Sequence, residues 1–436
     1  MPWIIWAIAV SYVFFDSLQQ MVPGVIGTAL LGPLQIDAAA LATFGAFYFY
    51  SYAAMQIPVG LITDRFGPHR PLVIAVLVAA GGSALFAISG GLASAQMSRM
   101  LIGMGTAFAY VSCLKLVSHW FPHSRFATLA CLTGMVGMLG SITGDAPLAD
   151  AVEHLGWRET SGVLVAIAVV LAILIWRIVR DHPPGARRWE DHPEHKRGAS
   201  KTLADLKHTI SKWQSWGTAL YITTMNATFP VFGEVWGIVF IERVYDIGEV
   251  EAAAVVSTLF VGGLLGSISW GLISDRIRRR RLPMILAASG ALVTMLVILY
   301  LPGVQHLPLR VASVLIGLQG FCCSGAFLGF AVGNDIRPPG SAGAPLGFLN
   351  TCAAGGTALF LPITGWLLDV RSPERVAQGI SALSAGDLCF AMTFIIVCLS
   401  VALLAAVFSR ETHCQLLYDE GYCPTKYAAP CHGRRE

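Results

Sequence analysis

Charged residues are scarce in this chain of 436 residues: Asp, Glu, Lys and Arg together make up 13% of it. A soluble globular domain carries about 25%. Hydrophobic residues account for 55%, and the mean hydropathy is +0.65. The composition therefore excludes an ordinary soluble domain and predicts a protein that is embedded in a lipid bilayer.

The motifs of several enzyme classes are also missing. The sequence contains no phosphate-binding glycine loop, no serine nucleophile elbow and no zinc-protease helix motif. We therefore predict that the protein is not an enzyme and has no cofactor. No metal site is predicted, because the spacing of Cys414, Cys423 and Cys431 in the tail matches no zinc pattern; a soft-metal site built from these cysteines is the alternative. Because there is no ATP site, any concentrative transport must use an ion gradient.

The apolar segments lack the polar–apolar alternation of membrane barrel strands, so the spanning structure has to be helical. A hydrocarbon core about 30 Å thick requires about 20 apolar residues per helix. Twelve runs have a suitable length and predict an all-α membrane protein with twelve transmembrane helices. The runs lie at about 3–28, 40–62, 71–90, 93–118, 127–148, 160–180, 214–242, 251–273, 283–301, 309–333, 344–368 and 386–409.

The first run has no basic segment before it and no small-residue cleavage site after it, so we interpret it as helix 1 rather than a signal peptide. Most of the 29 Lys and Arg residues fall in loops on one side of the membrane if both termini are cytoplasmic. We therefore expect a bacterial inner-membrane protein with both termini in the cytoplasm. The basic run 278–281 could instead indicate nucleic-acid binding, but topology explains it, and no nucleic-acid partner is expected.

One signal occurs twice. Residues 60–65 (GLITDR) end one apolar run and residues 271–276 (GLISDR) end another, and each copy is followed by basic residues and a new apolar run. Internal repeats of membrane helices are typical of secondary transporters. The predicted parts are an N-terminal six-helix half (1–180), a cytoplasmic central loop (181–213), a C-terminal six-helix half (214–409) and a cytoplasmic tail (410–436).

The first copy resembles the signature of the loop between helices 2 and 3 in the major facilitator superfamily (MFS). The resemblance implies the MFS fold, with two pseudo-symmetric halves that alternate in access, and it places the matching residues at a cytoplasmic gate. These gating residues are Gly60, Asp64, Arg65, Gly67 and Arg70 in the first copy, and Gly271, Asp275 and Arg276 in the second.

The resemblance also implies partners for the two carboxylates. Asp64 would face the positive N-terminal end of helix 11, which opens near Ser341, and Asp275 would face that of helix 5, near Ser124. This pairing would latch the inner end of the transporter; alternatively, the motif only fixes the topology. Arg278 stands where the first copy has a glycine, so we expect a looser second turn and a dominant first copy.

Further segments resemble one bacterial branch of the superfamily, which includes the phagosomal nutrient transporters of intracellular pathogens. They are residues 47–60, 105–122, 347–350 and 365–369. That resemblance implies uptake of a nutrient such as an amino acid or a nucleoside.

Ionisable residues inside membrane helices are costly and usually functional. The resemblance to the superfamily implies that helices 1, 4, 7 and 10 line a central cavity. Our candidates for binding the substrate or a proton are Asp16, Gln20, Tyr48, Tyr52, Arg99, Tyr110, Lys115, Asn226, Glu234 and Gln319.

Two of these candidates, Asp16 and Glu234, are proposed to couple protons, because an acid in a low-dielectric cavity can exchange protons near neutral pH. The alternatives are a structural ion pair of Asp16 with Arg99 and a structural hydrogen bond of Glu234. Lys115 could bind a substrate carboxylate or phosphate, or reach the membrane interface. Helical spacing turns it about 160° away from Arg99, so spacing does not place both in one cavity.

We predict a secondary active transporter that moves a small polar solute, such as an amino acid or nucleoside, by proton-coupled alternating access. Its partners would be the solute, a proton or other coupling ion, and the bilayer, with the protein itself a monomer. The alternative is an exporter or importer of a drug, siderophore or organic acid. Residues 144–147 do not match the Gly-Pro pair of the superfamily's drug/proton antiporters, which disfavours a drug exporter. A transporter-like sensor or assembly partner is a third hypothesis.

Overall fold

The computed structural model describes residues 1–31, 38–144, 146–183, 199–300, 308–337, 343–373 and 383–416. Nearly all of these residues are helical, and no strand occurs among them, which confirms the all-α prediction. Ser341, the expected start of helix 11, lies outside the described residues, as do much of the predicted central loop and most of the predicted tail.

The chain forms seventeen α-helices within the described ranges. In the first part they are α1 (Pro2–Leu31), α2 (Ala38–Phe66), α3 (His69–Ala87), α4 (Leu92–Thr106), α5 (Phe108–Trp120), α6 (Phe126–Thr143), α7 (Ala146–Leu155) and α8 (Trp157–Ile178). In the second part they are α9 (Ala199–Ser211), α10 (Trp213–Met225), α11 (Gly237–Tyr245), α12 (Glu249–Ile277), α13 (Arg281–Tyr300), α14 (Leu309–Cys323), α15 (Leu328–Asp335), α16 (Gly343–Arg371) and α17 (Ala385–Phe408).

Eleven segments of the described chain are long and apolar enough to cross a membrane. Three of them are interrupted spans, formed by α4 with α5, by α10 with α11 and by α14 with α15. The remaining predicted span is α2, which has 29 residues but is not among the eleven.

Two of the interruptions are irregular helical turns in the second part of the chain. A π-helical segment, Phe229–Trp236, follows α10, and a 3₁₀ turn, Ser324–Phe327, joins α14 to α15. Pro230 stands at the start of the π-helical segment, and proline has no backbone N–H to donate to the regular helical ladder. Such turns often occur at functional positions, and this one contains Glu234.

Helices that are distant in the sequence pack directly together. In particular, α2 packs along α16 and α6 packs along α12, while α1 packs against both α5 and α6. Helix α9 lies within the segment 181–213 that was predicted as the central loop, and it packs against α2, α10 and α16. The α2–α16 and α6–α12 contacts bring each copy of the repeated motif against a helix from the other part of the chain.

Candidate functional site

The first copy of the repeated motif closes α2, where the Asp64 carboxylate is almost fully buried. Its Oδ1 accepts a hydrogen bond from the backbone nitrogen of Gly343 at 2.7 Å, and its Oδ2 accepts one from Ala344 at 2.8 Å. These nitrogens belong to the first turn of α16, where backbone donors have no partner within the helix. Asp64 therefore caps the positive end of a helix from the other part of the chain.

A buried lysine neutralises this carboxylate. Lys115 of α5 is 0% exposed, and its Nζ lies 2.6 Å from Asp64 Oδ1 and donates to the Thr63 carbonyl oxygen at 2.8 Å. The sequence suggested a substrate anion or the membrane interface as the partner of Lys115. The structure gives it Asp64 instead, because α5 packs against α2 at the level of the motif.

Glycines allow α2 and α16 to approach this closely. A Cβ atom on Gly60 would lie 2.5 Å from the carbonyl oxygen of Gly343, and one on Gly347 would lie 2.6 Å from that of Gln56. Neither position has room for a larger side chain while the two helices are in contact. Gly60 therefore permits the backbone contact that brings Asp64 to the start of α16.

The second copy makes an analogous contact near the end of α12. Asp275 is only partly buried, and its Oδ2 accepts hydrogen bonds from the backbone nitrogen of Thr128 at 2.8 Å and from the Thr128 hydroxyl at 2.7 Å. Thr128 lies in the first turn of α6, shortly after the expected start at Ser124. Gly271 permits the approach here, since a Cβ on it would lie 2.8 Å from Thr128 Cα.

An arginine in the loop after α12 joins Asp275 to a second buried carboxylate. Arg280 Nη1 lies 2.6 Å from Asp275 Oδ1, and its Nε lies 3.1 Å from Asp335 Oδ2. Burial opposes the charge of Arg280, but the carboxylates of Asp335 and Asp275 outweigh it and raise the pKa of the guanidinium. Asp335 Oδ1 in turn lies 2.7 Å from Nε2 of His123, which precedes α6. The second copy is therefore part of a charge network rather than a single pair.

The turns that follow the two copies both begin with a residue of positive φ. Gly67 has a φ of 77° and Arg278 a φ of 52°, both in the left-handed region. The second turn is one residue longer, with residues 278–280 between α12 and α13 against 67–68 between α2 and α3. The looser packing expected of it stays a prediction. The Ser274 hydroxyl donates to the Arg279 carbonyl oxygen at 2.9 Å, and the Arg279 nitrogen donates back to the Ser274 carbonyl oxygen at 3.3 Å. These bonds hold Arg278 in a conformation that its side chain disfavours.

The three arginines predicted within the motif lie on the surface. Arg65, Arg70 and Arg276 are all exposed, and Arg65 stacks on the neighbouring Phe66 ring at 5.1 Å. The cations that contact the motif carboxylates are instead Lys115 and Arg280.

A separate cluster surrounds Asp16 in α1, which is 3% exposed. The Tyr48 hydroxyl of α2 donates a hydrogen bond to the Asp16 carboxylate, and it lies 2.9 Å from the Thr106 hydroxyl at the end of α4. Side-chain hydrogen bonds from Thr106 and Gln20 also reach Asp16. The structure therefore brings together three of the predicted residues: Asp16, Gln20 and Tyr48.

Arg99 joins this cluster through the tyrosine ring. Its guanidinium carbon lies 4.8 Å from the centroid of the Tyr48 ring, and its Nη1 donates to the Gln19 carbonyl oxygen at 3.0 Å. Tyr48 stands between a buried acid and a buried cation, with its hydroxyl on Asp16 and its ring face on Arg99. Arg99 and Lys115, which share one interrupted span, thus serve two different clusters.

The other aromatic candidates contact the second part of the chain. Tyr52 stacks on Tyr48 with ring centroids 5.8 Å apart, and its hydroxyl lies 3.4 Å from the Asn350 amide nitrogen of α16. That nitrogen also donates to Gln56 Oε1 at 2.9 Å. Tyr110 packs edge-on against Phe330 of α15 at 5.1 Å. These side chains therefore lie where α2 and α5 meet α15 and α16.

The remaining candidates lie in the second part. Gln319 is buried in α14, accepts a hydrogen bond from the Thr294 hydroxyl, and places its Nε2 3.4 Å from the Thr228 hydroxyl. Asn226 is partly buried at the end of α10, whereas Glu234 is exposed in the π-helical segment. Of the two acids predicted to couple protons, Asp16 is therefore the buried one.

Several contacting residues were not predicted as site residues. Asp335 falls just beyond the apolar run that ends at 333, and Asn350 lies in the segment 347–350 that resembles other transporters, a signal that pointed to the segment without singling out its amide. His123 had no signal that identifies it.

A family model described as the Major Facilitator Superfamily matches residues 8–361, which is most of the chain. The chain is 22% identical over 403 residues to the uncharacterized transporter YybO of Bacillus subtilis, covering 84% of this chain and 88% of that protein. A probable hexose phosphate transport protein of Chlamydia pneumoniae is 21% identical, covering 63% of this chain and 65% of that protein. A probable sulfoacetate transporter, SauU of Cupriavidus necator, is 24% identical, covering 54% and 56%.

Solved structures share the fold. The transporter FucP in its outward conformation aligns with a TM-score of 0.71 at 15% identity, covering 94% of this chain and all of that one. The proton:xylose symporter XylE aligns with a TM-score of 0.69 at 14% identity, covering 95% and 97%. The family match, the membrane-spanning helices and the shared fold together establish that this chain belongs to the Major Facilitator Superfamily and is an integral membrane transporter, not an enzyme.

Proposed function

We propose that the chain is a proton-coupled importer of a small polar solute, an amino acid, nucleoside or similar metabolite, in a bacterial inner membrane. Both termini are cytoplasmic and the protein works as a monomer. The halves 1–180 and 214–409 rock about a site near the middle of the bilayer, so that the site opens to one side at a time.

The observation that carries the proposal is the cluster around Asp16. An acid that is 3% exposed within a membrane helix is costly unless it has partners or carries a proton. The Tyr48 hydroxyl gives Asp16 a neutral hydrogen-bond donor, and the Arg99 guanidinium lies over the face of the Tyr48 ring. Such an acid can accept a proton from one side of the membrane and release it to the other as its surroundings change.

Substrate recognition is assigned to the same region. Tyr52 offers a ring face and a hydroxyl next to Tyr48, the tyrosine that bonds Asp16, and Arg99 offers a cation to a solute that carries a carboxylate. The neighbouring family members are consistent with small polar cargo: their names mention hexose phosphate and sulfoacetate, and the structural neighbours are described as symporters of protons with fucose or xylose.

The gate contacts support alternating access. Asp64 caps α16 and Asp275 caps α6, so both copies of the motif tie the two halves together at the proposed cytoplasmic end. In this conformation the cytoplasmic end is closed. Substrate and proton binding must each favour one state over the other to drive the change to the inward-facing form.

The test has two steps. The purified protein is first screened for thermal stabilisation by amino acids, nucleosides, organic acids and sugar phosphates, because a ligand that binds only the folded state raises the melting temperature. The stabilising solute is then labelled and its uptake into proteoliposomes is measured with and without an imposed proton gradient.

Asp16→Asn is the informative variant. We expect it to exchange labelled solute across the membrane but to lose accumulation driven by the proton gradient. Asp150→Asn, at an exposed aspartate of α7, is the matched control and should accumulate solute normally. Full gradient-driven accumulation by Asp16→Asn would contradict the assignment of the proton to this residue.

A further inference from the structure

The first residues after α17 make specific contacts around the second copy of the motif. We call the contact of Asp275 with the start of α6 the second gate, and that of Asp64 with the start of α16 the first gate. Glu411 Oε1 accepts a hydrogen bond from the Arg280 backbone nitrogen at 2.7 Å, and its Oε2 accepts one from Arg281 at 3.1 Å. These donors lie at the start of α13, so Glu411 caps that helix and fixes the backbone of Arg280. The side chain of Arg280 is the one that holds Asp275.

The next residue contacts the other carboxylate of the network. The Thr412 hydroxyl is buried and donates to Asp335 Oδ2 at 2.5 Å, the same oxygen that accepts from Arg280 Nε at 3.1 Å. Thr412 therefore helps to orient the Asp335 carboxylate toward Arg280. Cys414 is also buried, and its thiol lies 3.9 Å from the Ser274 carbonyl oxygen at the end of α12.

The backbone of this segment is held in an uncommon conformation. His413 and Cys414 have φ angles of 51° and 56°, in the left-handed region that residues with side chains rarely adopt. Such a conformation persists only where the surroundings fix it. The contacts of Glu411, Thr412 and Cys414 supply that restraint.

The first half contains a related cap. Asp181 Oδ1 accepts a hydrogen bond from the His69 nitrogen at 2.8 Å, at the start of α3, and burial raises the pKa of this carboxyl. Asp181 follows the end of α8 at Ile178 by the same three positions by which Glu411 follows the end of α17 at Phe408. A carboxylate after the last helix of each half thus caps the helix that follows the gate motif. The contact of Glu411 is therefore a feature that both halves of the fold share.

We propose that residues 411–414 belong to the inner gate: Glu411 and Thr412 are positioning residues that hold Arg280 and Asp335 so that Asp275 can cap α6. This inference rests on the proposed alternating-access function. The contacts stabilise the state in which the cytoplasmic end is closed, and weakening them shifts the protein toward the inward-open state.

The readout is hydrogen–deuterium exchange of the full-length protein in nanodiscs, followed by mass spectrometry. The Thr128 amide is protected by Asp275, so its exchange reports on the second gate. Thr412→Val removes the hydroxyl and retains the shape of the side chain. We expect it to speed exchange at Thr128 about tenfold, the effect of losing one hydrogen bond to a charged group. Glu411→Gln should act in the same direction.

Two control variants separate positioning from general folding. Thr412→Ser keeps the hydroxyl and should restore slow exchange, and Gln415→Ala, at an exposed neighbouring position, should resemble the unaltered protein. In all variants the amides in the middle of α13 and α17 should exchange slowly. Faster exchange throughout those helices in Thr412→Val, without a selective change at Thr128, would mean that the segment only supports folding and would overturn the proposal.

Asp275→Asn distinguishes the failure of this inference from the failure of the gate. If Asp275→Asn speeds exchange at Thr128 and Thr412→Val does not, the gate stands and the assignment of residues 411–414 to it falls. If neither variant changes exchange at Thr128, the gating role of Asp275 is wrong, and the positioning role of residues 411–414 is wrong with it.

Discussion

The two copies of the gate motif make the same contact but balance their charge differently. Asp64 is almost fully buried and pairs with Lys115, which comes from a neighbouring helix. Asp275 is partly exposed and is held by Arg280, which also binds Asp335. A repeated sequence signal therefore specifies the helix cap, while the residues outside the signal decide how the buried charge is compensated.

This difference determines how much stability each gate should lose when one charged residue is substituted. A buried ion pair leaves an uncompensated charge when one partner is lost, which is strongly destabilising. A network offers the remaining charge a second partner. A substitution in the first gate should therefore lower the free energy of unfolding more than the matching substitution in the second gate. The following variants test that contrast.

The largest effect is expected from matched substitutions of the two carboxylates. Asp64→Asn leaves the Lys115 ammonium buried without its counter-charge, so it should lower the free energy of unfolding by about 3–5 kcal/mol and reduce transport, while membrane insertion is retained. Asp275→Asn leaves Arg280 paired with Asp335 and should cost about 1.5 kcal/mol. Urea unfolding in detergent measures both. Equal losses would show that the two gates do not differ in this way.

A smaller effect is expected for the coupling between Asp64 and Lys115. We expect Asp64→Leu and Lys115→Met to be destabilising separately but much less so together, since removing both charges leaves none unpaired. The double-mutant cycle should give an interaction energy near the upper end of the roughly 0.5–3 kcal/mol range for contacting residues. Simple additivity in the same unfolding assay would mean that Lys115 does not neutralise Asp64.

Next in size is the steric requirement of the helix contact. The added methyl group of Gly60→Ala would meet the Gly343 carbonyl at 2.5 Å, so it should oppose closure by about 1–3 kcal/mol and slow transport by tenfold or more. Gly81→Ala is the control, because nothing lies within 4 Å of its added carbon. Exchange of the Gly343 and Ala344 amides should rise only in Gly60→Ala; unchanged protection there would argue against the close contact.

The smallest effect concerns the turns. Arg278→Gly at a φ of 52° should relieve about 1–2 kcal/mol of left-handed strain, which exceeds the roughly 0.5–1 kcal/mol entropic cost of a glycine, so it should stabilise the protein slightly. Gly67→Ala at a φ of 77° should destabilise it. Thermal unfolding of the two variants checks the opposite signs. A loss of stability in Arg278→Gly would show that the arginine side chain contributes more than its backbone strain costs.

The sequence predicted the fold well because hydropathy and a repeated motif are local signals. Through the resemblance of the motif, it also predicted that Asp64 would face the eleventh membrane span, which is α16, and that Asp275 would face the fifth, which begins with α6. It did not predict Lys115 as the partner of Asp64, because helical periodicity specifies the face on which a residue lies but not the neighbouring helix that it meets. Glu411 and Thr412 were missed for a related reason: they lie beyond the last apolar run, where hydropathy carries no information about contacts.

The location of Lys115 has a consequence for repeated turnover. Lys115 and Asp64 lie in the same half, so they stay together when α16 moves away. The two amide hydrogen bonds to the charged Asp64 carboxylate, each with a net value of about 1.5–3 kcal/mol, are then exchanged for water in each cycle, while the Asp64–Lys115 ion pair stays intact. Opening this gate therefore leaves no unpaired charge, so the cytoplasmic end can close again without first binding a counter-ion.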